Sequence, residues 1–340
     1  MPPRTSKTRP RSRASIGPWM LSVEEQLLAT LRSLRRKHTN LLGIGIGRRQ
    51  CNGKTVSEVV VRLVVRTKPK VKGRLPKGQP PLPGFVPVWT NVLGQRIGLM
   101  MPTDIEQAEK FLPCWFEVGK ARATSLAYWN DASGARHIGA ITCAHSLPAA
   151  GKTVEVALRT GIIKATVVVR ADLRKDGLDA GLVKIACDPK ELFNAGPQAL
   201  PIAGANDLLK CMGDDDDDAL QSPVRFWTGP KEETSIADIA GVAFYAEHPI
   251  QTQGGTVAFR NVVEAQHAGG CFEQGQSGSA WALYDDSSPR SIIAIQSHMN
   301  PSGTRALGTH MGTALDWLKA ARPDLQSLTP FWTLNELPVS

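Results

Sequence analysis

From about Thr124 onward the sequence breaks into short β-strand candidates separated by turn signals at close intervals. This cadence limits the fold more than any other feature. A first group of candidates covers residues 125–129, 137–144, 153–158, 162–169 and 178–185. After a polar interruption a second group covers 224–227, 236–245, 256–263, 279–284 and 292–296, and residues 305–310 lead into a last helix over 313–321. Ten or more strands in two groups predict a mainly β chain built as two packed β-barrels with a C-terminal helix. Nothing repeats at a fixed period, which disfavours a propeller or solenoid. The interruption holds Asp214–Asp218, five adjacent carboxylates whose mutual repulsion favours an exposed loop. The ligand spacing of an EF-hand calcium loop is missing there.

The residues before this region have a different character. Residues 1–18 mix Arg4, Lys7, Arg9, Arg11 and Arg13 with Pro, Ser and Thr, and predict a disordered basic tail. Ser22-Val23-Glu24-Glu25 matches a capping box, opening a helix with Leu27, Leu28, Leu31 and Leu34 on one face. Asn40–Arg49 alternates Gly and Ile, Asn52-Gly53 is a hairpin signal, and Ser57–Arg66 returns as a β-branched strand. Residues 19–67 thus predict a small α/β module. Prolines at 76, 80, 81, 83 and 87 make residues 68–118 an extended connector and bridge to a main domain over 119–322, with a tail at 323–340.

Charge separates the same two parts. Residues 1–80 carry 19 Lys and Arg against three acids, leaving 21 against 28 for the remainder. A basic head on a mildly acidic body fits either a solubilising surface or an anionic partner such as nucleic acid. The six cysteines, at 51, 114, 143, 187, 211 and 271, stand singly, and no Cys/His grouping has metal-ligand spacing. The start of the chain has no apolar signal region and no run is long enough to span a bilayer, so the default expectation is a cytoplasmic protein with reduced thiols.

Gly275-Gln276-Ser277-Gly278-Ser279 follows a glycine-broken stretch and runs into the apolar segment at 280–284. Glycines on a tight turn let backbone N–H groups converge without a Cβ in the way. The Gly275 and Ser277 amides could then stabilise the oxyanion formed when the Ser277 hydroxyl attacks a carbonyl. Read alone, the same residues fit an ordinary Gly/Ser loop. A nucleophile needs a base, and of seven histidines His145 is the best placed, at the end of an apolar strand and the start of a loop. It needs an orienting carboxylate as well, and Asp179 stands immediately before the small-apolar strand Ala180–Ile185. Asp172 and Asp176 compete with it but sit among Arg174, Lys175 and Gly177, as solvent-facing residues do.

In the order His, Asp, Ser the resemblance becomes specific. Thr142-Cys143-Ala144-His145 resembles the histidine motif of the chymotrypsin/trypsin-like serine proteases. Asp179-Ala180-Gly181-Leu182-Val183-Lys184-Ile185 is similar to their aspartate strand, and residues 275–279 to their nucleophile loop. The resemblance covers roughly residues 120–322, and the N-terminal extension looks like that of an intracellular branch of the family. It implies two six-stranded barrels, a cleft between them, and peptide-bond hydrolysis through an acyl-enzyme with no metal or organic cofactor. It also implies that Cys271, six residues before the serine, floors the primary specificity pocket, so that no carboxylate selects Lys or Arg. Ser297 falls on the implied substrate-pairing strand. His298 beside it is either a rim or structural residue or a reader of acidic side chains.

One departure bears on control. Gln276 stands where secreted relatives carry the aspartate that receives a new N-terminal ammonium on activation, so that switch does not transfer. The rival expectation, from another class, is a catalytically silent protease fold that binds peptides.

Overall fold

The computed structural model describes residues 18–51, 54–68, 80–92, 95–114, 120–158, 161–186, 197–203, 208, 212, 224–226, 235–250, 255–285 and 288–333. The basic tail through residue 17, the Asn52-Gly53 turn, residues 69–79 of the proline-rich stretch, Asp214–Asp218 and residues 334–340 lie outside them. More than half of the described residues are strand, in keeping with the mainly β expectation.

Helix α1 (Pro18–Arg35) precedes the antiparallel hairpin of β1 (Leu41–Cys51) and β2 (Lys54–Val65). The helix starts four residues ahead of the Ser22 cap expected from sequence, with Pro18 at a first-turn position that suits its fixed φ. In β1 the isoleucines at 44 and 46 are buried, while the alternating glycines meet β14 (Ser235–Pro249), their antiparallel neighbour. A Cβ on Gly45 would lie 2.4 Å from the Val242 carbonyl oxygen, so only glycine permits this approach.

Among its described residues the expected connector is largely strand. β3 (Phe85–Val92) and β4 (Gln95–Gln107) form a hairpin, β4 runs parallel to β2, and the two-residue β5 (Leu112–Pro113) follows. Of the prolines, Pro87 lies within β3. Val86 and Val88 alternate inward and are buried in the core that α1 covers, and Pro87 is tolerated because β3 is the sheet's edge.

Next come β6 (Lys120–Arg122), β7 (Ser125–Asn130), β8 (Arg136–Thr142), β9 (Thr153–Leu158), β10 (Gly161–Arg170), the short helix α2 (Leu173–Asp176) and β11 (Gly181–Ile185). With β12 (Pro197–Ala199) and the late β19 (Thr329–Thr333) they make an eight-stranded sheet in the order β12-β19-β7-β8-β11-β10-β9-β6. Its interior is apolar, with Ile138, Ala140, Val154, Val156, Val167 and Val183 packed together.

The second sheet has eleven strands. It contains β13 (Val224–Phe226), β14, β15 (Thr256–Gln266), β16 (Ala280–Asp285), β17 (Ser288–Met299) and β18 (Arg305–His310), continued through β1, β2, β4 and β3, with β5 beside β17. Because β13 pairs with both β14 and β16, the pairings β13-β16-β17-β18-β15-β14 return to their start. Helix α3 (Met311–Ala321) follows β18. Its Met311, Ala314, Leu315 and Leu318 join Ile292 and Ile295 of β17 and Ile141 and Leu182 of the first sheet in one apolar cluster, which ties the two sheets together.

The N-terminal module does not stand apart. Its Val23, Leu27, Ile44 and Leu63 share a core with Phe244, Trp281 and Ile293. A buried ionic cluster fastens it as well: Arg62 of β2 bonds Glu264 of β15 at 2.7 Å and also meets Glu106 of β4. Arg305 of β18 reaches Glu264 at 2.7 Å, Glu106 at 2.5 Å and Glu109 at 2.9 Å. Burial would raise the Glu264 carboxyl, but the two guanidiniums outweigh it and hold it at about 2.

Candidate active site

Register brings the first two candidate residues together. β8 and β11 are antiparallel with Thr142 opposite Gly181, so the chain leaving β8 runs past the chain entering β11. Asp179 therefore lies beside Ala144 and His145. Its Oδ1 accepts both backbone amides, at 2.7 and 2.9 Å, and Thr309 Oγ1 accepts its own amide at 3.1 Å. Its Oδ2 is 2.5 Å from His145 Nδ1. Asp179 is fully buried, and two backbone donors plus the ring satisfy a carboxylate that burial would otherwise penalise. Asp172 is spent on capping α2, where its side chain accepts the Arg174 amide, and Asp176 accepts the Asp172 amide.

Ser277 comes from the second sheet, on the turn between β15 and β16. Gly275 and Gly278 both have positive φ, +90° and +85°, which non-glycine residues rarely adopt. A Cβ on Gly278 would also lie 2.4 Å from the Arg122 carbonyl oxygen. The turn is pinned from both sides: the Gly278 amide donates to Gln296 of β17 at 2.9 Å, and Thr124 Oγ1 donates to the Gly278 carbonyl at 2.6 Å. These bonds bring Ser277 Oγ to 2.7 Å from His145 Nε2. The three residues thus form one chain of hydrogen bonds, Asp179–His145–Ser277, assembled from both sheets.

The electrostatics suit a polarised pair. Burial would lower the His145 imidazole, but the Asp179 carboxylate in contact with it raises it well above the usual histidine value. Burial would likewise raise Asp179, and His145 more than offsets that, holding the carboxyl at about 2.

The space beside these three residues is occupied by the chain's own residues. β5 lies antiparallel to β17, with Pro113 opposite His298 and Leu112 opposite Met299. Cys114 continues this line: its amide donates to the Ser297 carbonyl at 3.0 Å. Its carbonyl oxygen accepts the Ser277 amide at 3.0 Å and also meets the Ser277 hydroxyl. The Cys114 side chain is fully buried, and Gln296 Nε2 points at its sulfur from 3.6 Å. Gln296 is itself fixed by Trp281 Nε1 at 3.0 Å and Gln276 Oε1 at 2.9 Å. Burial pushes the Cys114 thiol up to about 12, so it is neutral. Neither Gln296 nor the 111–114 segment stands out in the sequence, because an uncharged glutamine and a Leu-Pro-Cys stretch carry no motif.

The remaining candidates fall into place around this core. Ser297 offers its backbone to the segment, while its hydroxyl donates to the Leu307 carbonyl at 3.2 Å. His298 is fully buried between the rings of His145 and Phe259, and burial drives it down to about 3. It is therefore neutral, and of its two expectations the structural role is the one its surroundings support. Cys271 is half-buried, and its carbonyl accepts Gln276 Nε2 at 3.2 Å. Gln276 Oε1 also accepts the Glu273 amide at 3.0 Å, so this neutral side chain braces the loop without an incoming ammonium.

The protein-family models and the curated proteins compared with this sequence gave no match.

Proposed function

We propose that the protein is a serine endopeptidase of the chymotrypsin-like class, with its triad between two β-barrels. The carrying observation is the continuous pair of hydrogen bonds, 2.5 Å from Asp179 to His145 and 2.7 Å from His145 to Ser277. The returning strand pairings of the second sheet support one barrel. The first sheet supports the other, since β6 passes into β7 through two residues only.

In this reading His145 Nε2 takes the Ser277 proton as Oγ attacks the scissile carbonyl, and then delivers it to the leaving amine. Asp179 holds the Nδ1–H tautomer and stabilises the imidazolium. The Ser277 amide, with that of Gly275, receives the oxyanion. Water then repeats the sequence on the acyl-enzyme. The residue ahead of the cut bond takes the place that the buried Cys114 side chain holds beside Gln296, which suits a small uncharged side chain. The reaction needs no metal or organic cofactor.

A second reading, a silent peptide-binding fold, draws on the observation that a peptide segment already fills the groove. The anionic-partner reading of the basic head is weaker: Arg35, Arg48, Arg49 and Arg62 are all engaged within the protein. A fluorophosphonate probe separates enzyme from silent fold. We expect covalent labelling that Ser277→Ala and His145→Ala both abolish. A folded protein that stays unlabelled even when the 111–114 segment is displaced by Cys114→Arg defeats the enzyme reading. No described helix is long and apolar enough to cross a membrane.

A further inference from the structure

Four contacts hold residues 111–114 as an extended peptide along β17, with the Cys114 carbonyl on Ser277. Phe111 is anchored in a pocket of Leu173, Ile250, Val257, Phe259 and Leu307, and its amide donates to the Pro249 carbonyl at 3.0 Å. Leu112 and Pro113 add an antiparallel strand to β17. The Cys114 amide is held by Ser297 and its side chain is buried against Gln296. The Cys114 carbonyl oxygen lies on the Ser277 amide and hydroxyl, where an oxyanion would form. Upstream, Glu109 is tied by Arg305 at 2.9 Å and by Asn300 Nδ2 at 3.2 Å, so the approach to the groove is fixed as well.

From this we infer that the protein's first substrate is itself: Ser277 cleaves the peptide bond that follows Cys114, within the same chain. The inference rests on the protease reading and names a substrate for it. Ser277 Oγ bonds to the Cys114 carbonyl carbon while its proton passes to His145. The C–N bond to Trp115 breaks, and its nitrogen leaves as an amine carrying that proton. Water adds to the ester, its proton passing through His145 back to Ser277 Oγ, and Cys114 ends as a carboxylate. An intramolecular arrangement of this kind removes the entropic cost of bringing two reactants together, an advantage that reaches about 10⁵ M in effective concentration when geometry is good.

The products stay together. Residues 1–114 keep their pairing with β14 through β1 and the ionic contacts of Arg62 with Glu264 and of Glu106 with Arg305, so the cut leaves a two-chain protein. Because Gln276 already braces the nucleophile loop, the new amine at residue 115 is not needed as an internal ion-pair partner. The same geometry gives a preference in trans for a small neutral residue before the cut, with proline ahead of it.

The test is intact-mass and N-terminal sequencing of the full chain made by cell-free translation, for the native sequence and for Ser277→Ala. We expect two co-eluting fragments, 1–114 and 115–340, from the native chain, a half-time unchanged over a hundredfold dilution, and an uncut Ser277→Ala. A native chain that remains whole yet labels with fluorophosphonate is a protease that does not process itself, and overturns the inference alone. The same follows if cleavage persists in Ser277→Ala, falls at another bond, or slows on dilution. If the native chain is neither cut nor labelled, Cys114→Arg decides. Labelling gained in that variant makes the segment a standing inhibitor and overturns self-cleavage. Its absence, in a variant whose circular dichroism is native, removes the protease reading itself.

Discussion

The two sheets hold their shares of the site by different physics. The eight-stranded sheet presents His145 and Asp179 from an interior rich in Val, Ile and Ala, with Asp179 buried and accepting the amides of Ala144 and His145 just past β8. The eleven-stranded sheet presents Ser277 and the strand that receives Cys114, and among the described residues it carries the buried cluster of Arg62, Arg305, Glu106 and Glu264. Apolar packing tolerates modest change in shape, whereas a buried charge depends on a specific partner. The His145–Asp179 pair thus rests on one half, while Ser277 shares the other with the buried ionic cluster.

The sharpest way to break this comparison is Asp179→Asn. Such a change keeps the shape but favours the wrong histidine tautomer, and we expect kcat to fall by about 10⁴ with thermal stability little altered. Peptide or ester turnover measures it. An imidazole can accept a proton only when neutral, and Asp179 raises the pKa of His145. Activity should therefore rise with pH along an acid limb above the ordinary histidine value of 6.5. Loss of the carboxylate leaves burial to push that limb downward in any residual activity.

Breaking the other half should do the reverse. Glu264→Gln removes the carboxylate that two buried guanidiniums share, leaving Glu106 and Glu109 as their only acidic partners among the described residues, and we expect a loss of about 3 kcal/mol in urea unfolding. The pH dependence sharpens this. Glu264 is held at about 2 in the folded protein, so its contribution is full above its unfolded pKa and is lost as pH falls toward 2. The native chain should lose stability across that window more steeply than the variant. The smallest effect belongs to the exposed Arg322–Asp324 pair at 2.8 Å, outside both clusters. Arg322→Ala should cost about 0.5 kcal/mol or less, and a change beyond about 1 kcal/mol would mean that surface charge matters more than the contrast allows.

The asymmetry also governs what the sequence disclosed. Strand cadence and the three motifs sit on local patterns, so the mainly β architecture and the residues 145, 179 and 277 could be read directly. The closeness of those three depends on register, Thr142 opposite Gly181, which the hydrophobic pattern of β8 and β11 specifies but no single residue announces. The fusion of the N-terminal hairpin to β14 was hidden. The glycines that allow it look like loosened strand, and the charged partners of Arg62 are some forty and two hundred positions away. Residues 68–118 read as a connector because proline content masks the Val86 and Val88 alternation. The segment at 111–114 is recognisable only by what lies opposite it.

The pairing of β1 with β14 has a consequence for biosynthesis. Gly43 bonds alongside Ala246, so the first hairpin leaves the ribosome long before its neighbour exists. At ordinary elongation rates the wait for some two hundred residues is on the order of 10–40 s. Throughout that interval Ile44 and Ile46 sit on an unpaired strand edge that nascent chains of any kind could join. Expression yield should therefore respond to translation speed and chaperone supply more than the finished molecule's stability would suggest.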